Sequence, residues 1–207
     1  MKVIAVCGIT KSGKTTTVEK IVGELRNRGY SVGSVKEIHF EKFAIDTEGS
    51  NTYRHKMAGS QLVTARGMYE TDILYQRMIP LEEILDHYHH DYVILEGVFD
   101  CPLPKIITAH NTAEIDERLN DTVFAIAGQI VNQLSGKYRD IPLYSALTDV
   151  SALVDLVEQV AYDWQPVPWG ELYLNDEKMP LSFAASRELG KLLAGQKGQL
   201  TYQIKRD

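Results

Sequence analysis

The chain opens on an unbroken apolar run, Val3-Ile4-Ala5-Val6-Cys7, the pattern of a strand covered on both faces. A polar octet follows, after which Val18, Ile21, Val22 and Leu25 recur at i, i+3, i+4 and i+7. That spacing predicts one face of a helix, and Gly29 can end it. Ser31 to Lys36 reads as a second strand, so strand, helix and strand form a parallel crossover unit. From Glu37 to Asn51 no period is sustained, which predicts a long polar loop. A short helical piece from Thr52 to Ala58 is stopped by Gly59, and Gln61 to Arg66 and Tyr69 to Tyr75 read as two strands turning at Gly67. Pro80, with Glu82 and Glu83 behind it, starts a helix whose apolar face is Leu81, Ile84, Leu85 and Tyr88.

Tyr92-Val93-Ile94-Leu95 is a second run of the fully buried type. Leu103 to His110, Thr122 to Ala127 and Ile141 to Tyr144 supply further strands. Asp149 is placed to cap a helix carrying Val150, Leu153, Val154, Val157 and Ala161 on one face. Strands alternating with helices predict an α/β fold, a mostly parallel sheet flanked by helices on both sides. Trp164-Gln165-Pro166-Val167-Pro168-Trp169-Gly170 cannot continue a helix, which divides the chain into a domain of residues 1–163 and a C-terminal extension of residues 164–207. In the extension, Glu171 to Leu174, a turn over Asn175 to Lys178, and Met179 to Leu181 predict a hairpin; Ser182 caps a helix through Leu193, and Gly198 to Lys205 reads as an edge strand. So short a segment cannot bury its own core, and it is expected to dock on the main domain or on a dimer partner.

The polar octet is Gly8-Ile9-Thr10-Lys11-Ser12-Gly13-Lys14-Thr15, a phosphate-binding loop leaving a strand and opening a helix. The two glycines allow a turn whose N–H groups point inward, Lys14 adds a cation for the outer phosphates, and Thr15 offers a hydroxyl to Mg2+. The helix behind it brings free N–H groups and the positive end of its dipole. The fold is therefore expected to be that of the P-loop NTPases. The nucleotide-binding set is Gly8, Thr10, Lys11, Ser12, Gly13, Lys14, Thr15 and Thr16. The second buried run delivers Glu96 and Gly97 at its carboxyl end, where an acid holds Mg2+ or positions the attacking water. The 37–51 loop faces the same edge and carries His39, Glu41, Asp46 and Glu48. Thr15, Asp46 and Glu96 are accordingly the candidate metal ligands, and Lys14, Asp46 and Glu96 the candidate catalytic residues.

A net charge of −6 over 207 residues argues against nonspecific binding to DNA or RNA, which requires a basic face, and favours a small nucleotide as ligand. No apolar run approaches the length of a membrane span, and the first residues enter a strand directly, which places the chain in the cytoplasm. Cys7 and Cys101 form no disulfide framework or metal-binding spacing. His87, His89 and His90 close a helix just before a strand, where positive charge suits the helix end. The guanine-reading Asn-Lys-x-Asp is absent, although Ser145-Ala146-Leu147 is similar to the shorter second guanine motif.

As a set, the phosphate loop, Lys36-Glu37-Ile38-His39, the stretch Ile45-Asp46-Thr47-Glu48-Gly49-Ser50-Asn51-Thr52 with Arg54 and Ala58-Gly59-Ser60, and the Val93-Ile94-Leu95-Glu96-Gly97 strand with Pro104-Lys105-Ile106 resemble the MobB family of molybdopterin-guanine dinucleotide biosynthesis proteins. Glu37 stands where that family often has histidine, Ser50 where it has lysine and Asn51 where it has aspartate. The resemblance implies a GTP-binding accessory protein using Mg2+, homodimeric, with weak GTPase activity. Its implied partners are molybdopterin or its guanine dinucleotide and a MobA-type nucleotidyltransferase. Two other readings stay open on the residues alone. One is a small-molecule kinase using ATP, for which Arg54, Arg66 and Arg77 form no recognisable lid. The other is a nucleotide-dependent scaffold for a maturation partner.

Overall fold

The computed structural model describes residues 1–165 and, beyond them, the short strands Tyr173–Leu174 and Glu177–Lys178. In chain order its elements are β1 (Lys2–Gly8), α1 (Lys14–Asn27), β2 (Val32–Lys36), α2 (Asn51–Met57), β3 (Leu62–Arg66), β4 (Thr71–Tyr75), α3 (Leu81–Leu85), β5 (Tyr92–Glu96), β6 (Lys105–Thr108), α4 (Thr112–Asp116), β7 (Val123–Ala127), β8 (Lys137–Tyr138), β9 (Ile141–Pro142), α5 (Val150–Val160), β10 (Tyr162–Asp163), β11 (Tyr173–Leu174) and β12 (Glu177–Lys178). A 3-10 turn, Gln129–Asn132, follows β7.

The main sheet runs β2-β5-β1-β6-β7 with every one of these pairs parallel, while β10 pairs antiparallel with the start of β1. β1 and β5 therefore have neighbours on both edges and helices or loops on both faces, which is why both read as continuous apolar runs. Their alternate residues part to opposite sides. Ile4, Val6 and Ile94 meet Val18, Ile21 and Leu25 of α1 and Leu153, Val154 and Val157 of α5. Val3, Ala5, Cys7, Val93 and Leu95 meet Leu85 of α3, Val98 and Leu103 on the other face. A third cluster joins Ile107 and Ile126 to Ile115 of α4 and Ile130. Each fully buried Leu or Ile contributes about 1.5–3 kcal/mol relative to exposure.

Helix α1 ends as its sequence requires. Gly29 adopts a φ of +92°, its N–H donates to the Arg26 carbonyl and that of Tyr30 to the Leu25 carbonyl, the paired bonds of a Schellman stop. α2 stops in the same way at Gly59. Lys105 is fully buried in β6, and its ammonium donates to the carbonyls of Cys101 and Leu103 and to Thr122 Oγ1, as a buried cation must.

Some expectations are adjusted. β2 begins at Val32, because the Ser31 N–H and hydroxyl both donate to Asp91 Oδ2. Pro80, with an extended ψ of 150°, is the cap of α3 and not its first helical residue, and α3 ends at Leu85. Asp149 holds the cap position of α5, yet its carboxylate accepts from the Ser145 N–H and makes no side-chain cap bond. Of Ile141 to Tyr144 only Ile141–Pro142 forms a strand, antiparallel to β8, while Leu143 bridges Ile126 in parallel. β3 and β4 make a separate antiparallel pair.

The chain forms two compact units, Met1–Trp164 and Gln165–Asp207. In the second, β11 and β12 pair antiparallel with Leu174 opposite Glu177, so Glu177 and Lys178 belong to a strand and not to the turn. The expected arm from Met179, the helix from Ser182 and the last strand lie outside the described residues. Among the described residues no helix is long and apolar enough to cross a membrane.

Candidate functional site

The loop between β1 and α1 lies at the carboxyl edge of the parallel sheet, and its backbone fits too closely for side chains at the glycine positions. Gly8 has φ +154°, and a Cβ there would overlap the Thr108 carbonyl; Gly13 has φ +107°, and a Cβ would stand 3.0 Å from Gly128 Cα. Lys11 takes a left-handed φ of 62° at the tip. Ser12 is fully buried, its hydroxyl donating to the Ile9 carbonyl (2.8 Å) and lying 2.7 Å from Thr108 Oγ1. The Gln129 N–H donates to the Ser12 carbonyl at 3.0 Å. The carboxyl ends of β6 and β7 thus brace the loop from one side.

α1 begins at Lys14 with no side-chain cap and no acidic residue in its first turn. The leading N–H groups of a helix have no helical acceptor, so this end offers donors and a positive dipole to an anion. Lys14 is half-buried and its Nζ donates to the Ile9 carbonyl at 2.6 Å, across the loop. Burial lowers its pKa; Glu96 acts against that shift, and Lys36 acts with it.

β5 lies beside β1 in a register that sets Glu96 opposite Val6, and beside β2 in one that sets it opposite Lys36. The Glu96 carboxylate is buried. Its Oε1 accepts from Thr15 Oγ1 at 2.8 Å and faces Lys36 Nζ at 3.1 Å. Gly97 follows with φ +85°, its N–H on the Val6 carbonyl, and His39 Nε2 is 4.0 Å from where a Cβ would stand on Gly97. A hydroxyl and a carboxylate sharing a hydrogen bond beside a helix N-terminus are hard oxygen donors of the type Mg2+ takes, so these residues fit that ion.

Of the residues expected from sequence, Gly8, Ser12, Gly13, Lys14, Thr15 and Glu96 are brought together. Thr10, Lys11 and Thr16 are exposed on the loop and first turn. Asp46 is organised differently. Its Oδ1 accepts from the Thr47 N–H and from the hydroxyls of Ser50 and Thr52, and Ser50 caps α2; the Ser50 hydroxyl is the foremost cause of a pKa held below the usual carboxylate value. Asp46 Oδ2 has no hydrogen-bond partner among the described residues. Ser145 Oγ accepts from the N–H groups of Leu147 and Thr148 in the turn before α5. Sequence reading missed Thr108, Gly128 and His110. His110 places Nε2 3.1 Å from the Lys11 carbonyl and Nδ1 3.2 Å from Glu114 Oε2. The available signal was position, since all three stand at or just past the carboxyl ends of β6 and β7.

Comparison with known proteins gives one consistent result. The family model described as molybdopterin guanine dinucleotide synthesis protein B matches residues 3–129. A Bacillus subtilis (strain 168) protein named probable molybdopterin-guanine dinucleotide biosynthesis adapter protein is 24% identical over 159 residues, covering 75% of this chain and 90% of its own. The molybdopterin-guanine dinucleotide biosynthesis adapter protein of Haemophilus influenzae is 32% identical over 109 residues, 50% of this chain and 61% of that one. The crystal structure of Bacillus subtilis MobB superposes with a TM-score of 0.66 at 23% identity, over 79% of this chain and all of that one. The MobB homologue from Bacillus stearothermophilus gives 0.59 at 21%, over 77% and 98%. These two likenesses show the fold, a mostly parallel sheet with flanking helices.

Proposed function

Since the chain belongs to the molybdopterin guanine dinucleotide synthesis protein B family, we propose that it binds GTP with Mg2+ at the Gly8–Thr15 loop and acts as an adapter in the guanylation of molybdopterin. The observation that carries this reading is the Thr15 hydroxyl on the Glu96 carboxylate at 2.8 Å, beside the uncapped start of α1. The backbone of the loop and α1 hold the inner phosphates, and Lys14 turns from the Ile9 carbonyl to the outer ones. Thr15 and Glu96 would hold the ion. Mg2+ bound there supplies charge neutralisation of the phosphate oxygens. Hydrolysis by the chain alone is slow, and an acid at Glu96 orients the water that performs it.

Two surfaces support the remaining parts of the reading. Lys36 and Glu37 also border a cavity of about 1320 Å³ lined by Phe40, Phe43, Met57 and Tyr75, by the cations Lys56 and Arg77, and by the acids Glu41, Glu82 and Asp100. Aromatic walls and cations suit a flat heterocycle bearing a phosphate, as in molybdopterin. The β3–β4 pair and its turn expose Leu62, Met68, Tyr69 and Ile73, an apolar face suited to homodimer formation. The partner that consumes the nucleotide is a MobA-type nucleotidyltransferase.

The test is reconstitution. A purified nucleotidyltransferase of that type, given molybdopterin and limiting GTP, should form the guanine dinucleotide faster when this chain is added, and Lys14→Ala should remove the gain. Equal stimulation by the wild-type chain and by Lys14→Ala would refute the role of the nucleotide site.

A further inference from the structure

We propose that Lys36 is a second phosphate-binding residue of the site, serving the terminal phosphate and so distinguishing a triphosphate from a diphosphate; this rests on the nucleotide reading above. Lys36 is the last residue of β2, and its register partner is Glu96. Its ammonium faces Glu96 Oε1 at 3.1 Å, the same oxygen that accepts from Thr15 Oγ1 at 2.8 Å. It is therefore no more than two hydrogen-bond lengths from the Thr15 hydroxyl.

The order β2-β5-β1 fixes the side from which it approaches. The loop and α1 take the nucleotide from β1, Glu96 stands one strand away, and Lys36 reaches in from the strand beyond that. A phosphate chain laid outward from the loop past Thr15 brings its far end, and not its inner phosphates, to this ammonium. Exposure agrees with that placing: the Lys36 side chain is 56% exposed while that of Glu96 is 9% exposed, so the cation stands at the mouth and the acid at the floor.

Lys14 stands one residue before Thr15, whose hydroxyl Glu96 holds, and Lys36 faces the same carboxylate oxygen. Two ammonium groups and a helix N-terminus around one carboxylate leave an excess of positive charge, which an additional phosphate oxygen satisfies. As a merely structural contact, an ion pair with so exposed a partner contributes little, about 0–1 kcal/mol, and it would have no reason to discriminate between nucleotides.

The experiment is calorimetric titration of the full chain with GTP and with GDP, each with Mg2+, for the wild type, Lys36→Met and Lys36→Arg, with thermal unfolding recorded for each. Lys36→Met is expected to keep its unfolding temperature, to lose at least tenfold in GTP affinity and to change GDP affinity less than threefold; Lys36→Arg is expected to restore most of the GTP affinity. An unchanged ratio of GTP to GDP affinity in Lys36→Met, in a wild type that binds GTP, overturns this proposal alone. A wild type that binds neither nucleotide overturns this proposal together with the nucleotide reading.

Discussion

Gly128 and Gly49 share a φ of +87° and differ in what surrounds them, which makes them a matched pair for weighing how the Gly8–Thr15 loop is braced. A Cβ on Gly49 would meet nothing within 4 Å, whereas one on Gly128 would overlap the Ser12 carbonyl oxygen and stand 2.9 Å from Thr108 Cβ and 3.2 Å from the Ala109 nitrogen. Gly49→Ala therefore carries only the left-handed backbone penalty, about 1–2 kcal/mol. Gly128→Ala adds two further costs. Overpacking against fixed backbone costs about 1–3 kcal/mol, and pushing the Ser12 carbonyl away weakens its bond from the Gln129 N–H, about 0.5–1.5 kcal/mol. The expected total is about 2.5–6.5 kcal/mol. Thermal unfolding followed by circular dichroism measures both variants, and at roughly 2–4 °C per kcal/mol the Gly128 variant should melt about 5–25 °C lower. Because the displaced atom belongs to the loop, its folded fraction should also bind GTP more weakly. Equal destabilisation by the two substitutions would refute the packing account.

Other expectations concern titration and thiol reactivity. Asp91 is held below its ordinary pKa chiefly by the Ser31 hydroxyl and then by the Ser31 N–H. A depressed folded-state value means that its stabilisation is complete above the unfolded value near 3.9 and is lost as pH falls through the folded one. The drop in urea midpoint from pH 7 to pH 3 should therefore be smaller in Asp91→Asn than in the wild type; an identical drop would show that Asp91 does not contribute. Burial pushes the Cys7 thiol up to about 12, and its Sγ donates to the Val98 carbonyl. At pH 8 an alkylating reagent should label the partly exposed Cys101 and spare Cys7 until the chain unfolds, as peptide mass mapping would reveal. Ile21→Ala, at a fully buried position of α1, should cost about 2–5 kcal/mol by denaturant titration, and a loss below 1 kcal/mol would contradict the packing of α1 on the sheet.

Much of the sheet was legible because its central strands must be apolar throughout: Val3–Cys7 and Tyr92–Leu95 announce β1 and β5 by composition alone, and Gly29 and Gly59 mark helix ends through their left-handed turns. The turn from Gly8 to Thr15 was legible for a similar reason, since its glycines and lysine are adjacent in the chain. What escaped was long-range. The bracing of the loop by Thr108, Gly128 and His110 joins residues about a hundred positions apart, and no local period carries that information. Short elements such as α4, β8 and β10 were missed because two to five residues cannot express a period. Asp46 was read by residue type as an acid for the site; not legible was that hydrogen bonds from Thr47, Ser50 and Thr52 tie one of its oxygens to the start of α2. Ser50 and Asn51, which stand where the resembling family carries lysine and aspartate, are the cap and first residue of that helix.

The most direct test of the central claim is titration of the purified wild-type chain with GTP and with ATP in the presence of Mg2+. Tighter binding of GTP by tenfold or more, a gap of about 1.4 kcal/mol, abolished by Lys14→Ala in a chain that remains folded, is the predicted result. Tighter binding of ATP, or GTP affinity unchanged by Lys14→Ala, would contradict it.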